Sequence, residues 1–233
     1  MAAAHGHFAD GASGADGADG EVTPLVFRHA VAGLRDARLR PELEIDSTPP
    51  PRRLAPFSYA LEAAVVVDDE ELAEGRLILL HDPAGHDAWK GTFRMVTLVH
   101  ADLEPEMAAD PLLPEVCWSW LTGALAARGV VYSEPSGTVT RAGSHYFGGL
   151  ADRDPSTRIE IRASWTPADW VGTADLGARN GRGGPAAAEP VPDTASHLSA
   201  WGDLLCQIAG LPPVGAGEPG IVTLPQRRGP LPR

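Results

Sequence analysis

A chain of 233 residues with 43% hydrophobic side chains is long enough for one packed domain with tails and short for two of ordinary size. Its net charge of −12, from 31 Asp and Glu against 19 Lys and Arg, repels phosphate backbones and anionic lipid and so disfavours nucleic-acid binding by the body of the protein. The longest apolar run, Ala63 to Val67, is far below the roughly 18 residues of a membrane span, and the N-terminus MAAAHGHFADG lacks the basic start and apolar stretch of a secretory signal, so no membrane is expected and the cytoplasm is the expected compartment.

The 26 Gly and 22 Pro crowd into segments with few large apolar side chains, which cannot repay the entropy of ordering. The expected organisation is a disordered tail over residues 1–22, one domain over 23–211 with a flexible insertion at about 168–192, and a disordered basic, proline-rich tail over 212–233. Thr23 and Pro24 read as a helix start, and Phe27, Ala30, Val31 and Leu34 continue at helical spacing to about residue 38. Pro41 and STPPPRR (47–53) read as a stiff extended connector.

Three strands then follow as an antiparallel meander. Phe57 to Val67 alternates and ends in a β-branched run, the charged DDEE (68–71) is a turn, and RLILLHD (76–82) and TFRMVTLVH (92–100) flank the loop PAGHDAWKG. A central helix is predicted from Pro114, with a stripe through Cys117, Trp120, Leu121, Ala124 and Leu125, stopping at Gly129. GTVTRAGSHYF (137–147) and TRIEIRASW (157–165) are two more strands. Asp193 caps a last helix whose Leu198, Trp201, Leu204, Leu205 and Ile208 share a face. The fold class is therefore α+β, an antiparallel sheet of about five strands with three helices, in the order α-β-β-β-α-β-β-α.

The stretches GRLILLHDPAG, DPLLPEVCWSWLTGAL, GTVTR, RASWTP, HLSAWGDLLCQIAGLPP and LPQRRGP resemble an uncharacterised actinobacterial family classed only as a domain of unknown function. That resemblance covers most of residues 54–228 and implies no activity, cofactor or catalytic residue. The order of elements is similar to that of class I type III secretion chaperones and their YbjN-like relatives, which implies a small acidic binding protein, often dimeric and without catalysis.

Three groups of residues could carry chemistry. His81, Asp82, His86 and Asp87 are potential metal ligands or acid/base groups within seven residues, although Asp82-Pro83-Ala84-Gly85 also has the residues of a type I turn. Asp102, Glu104 and Glu106 form an acidic run that equally suits the dipole of a following helix. Arg94, Arg141, Arg158 and Arg162 all fall on predicted strands, where two or three on one face could receive a carboxylate or phosphate, or pair across strands with Glu160.

On the central helix, Trp118 and Trp120 diverge by roughly 200°, so Trp120 is assigned inside and Trp118 to the opposite side, covered by another element or presented as the anchor of a homodimer or partner surface. Cys117 and Cys206 sit in apolar helical patterns as buried free thiols. No phosphate-cradling glycine motif opens a helix and no cofactor is expected. The expected function is that of a non-enzymatic interaction or chaperone-like protein. The alternatives are a small-molecule or metal-dependent enzyme using the 81–87 loop with the sheet arginines, and weak nucleic-acid contact through the tail around Arg227, Arg228 and Arg233.

Overall fold

The computed structural model describes residues 22–170 and 190–212. The expected tails and most of the expected insertion lie outside the described residues. The chain opens with helix α1 (Leu25–Arg35), which buries Val26, Phe27, Ala30 and Leu34, the face its 3.6-residue spacing marks out. Strand β1 (Leu43–Thr48) follows, then β2 (Phe57–Val67), β3 (Glu70–His86) and β4 (Gly91–Leu103). A short α2 (Pro105–Ala108) leads into α3 (Leu113–Ala127), after which come β5 (Tyr132–Ser144) and β6 (Ser156–Pro167). A two-stranded ribbon, β7 (Asp169–Trp170) with β8 (Val191–Pro192), brackets the position of the expected insertion. The last element of the described residues is α4 (Thr194–Ile208), capped by Asp193, whose side chain accepts from the Ser196 amide.

The sheet has six antiparallel strands rather than about five, in the order β1-β2-β3-β4-β6-β5. The extra strand is β1, in the segment expected to be part of a connector. Its Leu43 and Ile45 alternate with Glu44 and Asp46 and pair with Val65 and Ala63 of β2, but six residues pressed between Pro41 and Pro49 give too short a period to stand out from the prolines. The β2–β3 turn is tight: Asp68 and Asp69 both adopt left-handed backbone, φ 52° and 65°, as a two-residue hairpin turn matched to the strand twist requires.

All three longer helices cover one face of the sheet. Leu61, Leu77, Leu79, Met95, Val99, Ile159, Ile161 and Trp165 point into that layer and meet Leu198, Trp201, Leu204 and Leu205 of α4. Gly75 of β3 lets α4 approach: a Cβ there would lie 2.8 Å from the Trp201 ring and 2.9 Å from Leu205. A bidentate pair between Arg128 and Asp203, at 2.7 and 2.9 Å, ties α3 to α4. Gly129, with φ +66°, ends α3. Among the described residues no helix is long and apolar enough to cross a membrane.

Cys117 and Cys206 are both free and fully buried in the helix layer. Burial pushes each thiol up to about 11, so neither is a thiolate at neutral pH. A thiol-specific chromogenic reagent is expected to find no reactive group in the native protein and two after unfolding without reductant; rapid native labelling at either position contradicts this packing.

Candidate functional site on the open face of the sheet

The structure separates the four residues of the 81–87 loop. His81 turns into the helix layer, 2% exposed, where its ring stacks 4.2 Å from Phe93 and lies near Phe27 and Phe57, with Nδ1 3.0 Å from the Thr92 carbonyl. Asp82 accepts from the Ala84 amide in a register-shifted stretch of β3, which continues to His86, so the hairpin turns at residues 87–90 rather than at the expected Asp82 to Gly85. His86 ends the strand and stacks at 4.8 Å on Trp89 of that turn, and Asp87 is exposed. These four do not converge, and among the described residues no three His, Cys, Asp or Glu side chains are placed to hold a metal ion. The alternation of strand residues is the reason: one position along β3 decides between core and solvent.

The four arginines divide in the same way. Arg141 of β5 faces the helix layer and donates to the carbonyls of Ala108 and Asp110, fastening the loop before α3. Arg94, Arg158 and Arg162 share the opposite face. Arg158 pairs across strands with Asp102 at 3.0 Å, which raises its own pKa, so the first carboxylate of the acidic run is spent on the sheet. Glu160 receives a hydrogen bond from His100 at 2.9 Å and the Arg162 Nε at 2.8 Å, and the His100 bond above all holds its carboxyl below the usual range. His100 also lies 3.6 Å from Glu74, so one row across β3, β4 and β6 reads Glu74, His100, Glu160.

Arg94 is different. It is only 6% exposed, and its guanidinium donates to three hydroxyls, Thr166 at 2.9 Å, Ser164 at 2.8 Å and Ser136 at 3.1 Å. No carboxylate among the described residues comes within salt-bridge distance, and burial lowers its pKa. The hydroxyl partners went unremarked in the sequence because Ser136, Ser164 and Thr166 are far apart along the chain and meet only through the β4-β6-β5 register.

Beside these groups the open face forms a groove of about 640 Å³ with an apolar floor of Ile78, Val96 and Leu98. A smaller apolar patch of Ala60, Ile78 and Leu80 continues from it beneath Ala55 and Trp89. One wall of the groove is β5, an outermost strand of thirteen residues that is exposed almost throughout. Trp118 is half-buried against the core and lies over Gly137 of that strand, where a Cβ would come 2.9 Å from its ring; Trp120, expected inside, is also only half-buried.

No curated protein and no solved structure gives a significant match to this chain. Residues 23–217, which include every described element of the fold and the residues that line the groove, match the family DUF3000, described as a protein of unknown function, and the chain belongs to that family.

Proposed function

We propose that the protein is a non-enzymatic interaction protein, chaperone-like in that it offers the open edge of β5 to an extended segment of another polypeptide. The supporting observation is the contrast between the two edges of the sheet. β1 is six residues long and carries Glu44 and Asp46, which blunt it. The start of β5 is blunted as well, by a register shift between Ser133 and Ser136 that contains Pro135 and a left-handed Glu134. Gly137 to Ser144 has no such device: no proline, one charge, and that charge, Arg141, is tied down to Ala108 and Asp110.

The pairing pattern says which groups are on offer. The Ala168 amide donates to the Val131 carbonyl, and carrying that alternation along the β5–β6 register turns the main-chain groups of Thr138 and Thr140 toward β6 and those of Gly137, Val139, Arg141 and Gly143 outward. Outer-face side chains here are Ser136, Thr138, Thr140, Ala142 and Ser144, all small, so recognition is of main chain more than of sequence. Such bonds are worth about 1 kcal/mol each net of water, and ordering the incoming segment offsets much of that, which gives weak, reversible capture. Trp118 borders the same edge and is the side-chain anchor of the surface.

Amide exchange over residues 137–144, with and without a reduced, carboxymethylated model protein as the extended probe, tests this reading. Protection is expected to rise at Val139 and Arg141, and Val139→Pro, which removes an outward N–H, is expected to abolish it while the fold is kept. Thr140→Pro breaks a bond to β6 and is expected to destabilise the sheet instead. Unchanged exchange with the probe sinks the reading. Concentration-dependent self-association lost in Val139→Pro identifies the occupant as a second copy of the chain.

A further inference from the structure

Among the described residues Arg94 is a buried cation with no carboxylate within salt-bridge distance, Glu134 acting on it only from farther away and without offsetting burial, and such a group lowers stability unless something it binds compensates. Its three hydroxyl partners do not need it. Thr166 donates to the Trp89 carbonyl, and Ser136 and Ser164 lie 3.2 Å apart and can bond to each other. A hydroxyl that accepts from a guanidinium must send its own proton elsewhere. Both serines accept from Arg94, one donates to the other, and the proton left over is on the side where Ser136 and Ser164 line the groove.

The groove carries further donors. Leu98 on its floor is flanked in register by Arg76 and Arg162. Arg76 bonds to the Pro49 carbonyl and lies 3.5 Å from Glu62, yet its buried Nε has no hydrogen-bond partner among the described residues. Arg162 is paired with Glu160 through its Nε alone among the described residues. Three guanidiniums face two carboxylates within salt-bridge distance, with Glu134 acting on Arg94 from farther off, so the excess positive charge is at most one. That balance suits a monoanion better than a phosphate dianion. The volume of about 640 Å³ falls within the range of small-molecule sites, and the floor of Ile78, Val96 and Leu98 suits an apolar body.

We infer that this groove binds a carboxylate with an apolar tail, its carboxylate at Ser136, Ser164 and Arg162 with Arg94 behind the serines, and its tail along Val96, Leu98 and Ile78. The inference is independent of the β5 edge, since it uses side chains of the open face and no outward main-chain group.

Calorimetric titration of the full chain with sodium octanoate is expected to give saturable binding at one site. Octan-1-ol, with the same tail and no charge, and acetate, with the charge and no tail, are each expected to bind at least tenfold more weakly. Ser164→Ala and Arg162→Gln are each expected to weaken octanoate binding about tenfold while leaving the melting temperature in place. Arg94→Met is expected to abolish binding with the melting temperature of the ligand-free protein unchanged or raised by a few degrees, the mark of a charge kept for a ligand rather than for the fold. Octanoate that fails to saturate, octanol that binds as tightly, or Ser164→Ala and Arg162→Gln that bind as the natural chain does, each overturns the site. A fall of many degrees in Arg94→Met makes that arginine structural and removes it from the site.

Discussion

Replacing Trp201 by alanine is expected to lower the stability of the protein by about 3–5 kcal/mol, the usual loss for a large aromatic deleted from a core. The indole is fully buried at the centre of α4, against Gly75 of β3, so it fills the space where helix and sheet come closest. Its Nε1 donates to the Thr97 hydroxyl at 2.6 Å, and that hydroxyl in turn donates to the Arg76 carbonyl, so one side chain links the last helix to two strands. Trp201→Phe keeps most of the volume and leaves Thr97 with its bond to Arg76, and is expected to cost about 1–2 kcal/mol, in the range of volume-changing core swaps. Urea unfolding followed by circular dichroism reads both, as a lower midpoint at constant slope. A change below about 1 kcal/mol in the alanine variant is incompatible with this packing.

The second large effect is on pH dependence. His197 of α4 is 1% exposed, and its Nδ1 accepts from the Trp165 indole at 3.1 Å, so the ring is neutral with its proton on the other nitrogen. Burial lowers its pKa to about 4; Asp193 and the Val131 main chain act in the opposite direction and do not offset it. The unfolded chain, with an ordinary histidine near 6.5, then binds more protons than the folded one between those two values. Its contribution is fully present above about pH 6.5, is lost as the pH falls toward 4, and changes no further below that. The shift corresponds to about 3 kcal/mol.

Unfolding free energies of the natural chain and of His197→Gln, measured at pH 7 and at pH 4.5, isolate the effect. Glu42 and Glu160, whose carboxyls are also held low, lose their contribution at lower pH and do so equally in both proteins. A variant with the same drop between the two pH values as the natural chain would falsify the assignment.

Most of the elements were legible from the sequence. Apolar spacing located the helix faces of α1, α3 and α4, alternation located β2 and β6, apolar runs around a loop located β3 and β4, and Asp193 and Gly129 marked ends, because caps and periodicity act over a few residues and leave a local trace. The strand missed, β1, has the weakest local trace of the sheet and is held by its pairing with β2. Trp120 shows the limit of a helical wheel: the stripe places it at the margin of the buried face, and the neighbours on α3's flanks decide that it is only half-buried.

The candidate site was legible only in part. Arg94, Arg158 and Arg162 could be grouped as strand arginines, but a one-residue offset along a strand separates His81 in an aromatic layer from Asp82 on the open face, and nothing local says which face is covered. The sequence by itself determined the class of fold, the residues with an apolar period and the absence of a recognisable catalytic motif, since each depends on near neighbours in the chain. Only the tertiary structure decided that β6 lies between β4 and β5, that all three longer helices cover one face, and hence that Arg94 meets Ser136, Ser164 and Thr166 beside an open groove. Those contacts span 42 to 72 residues of chain, and over such separations it is strand order and register, not local pattern, that bring groups together.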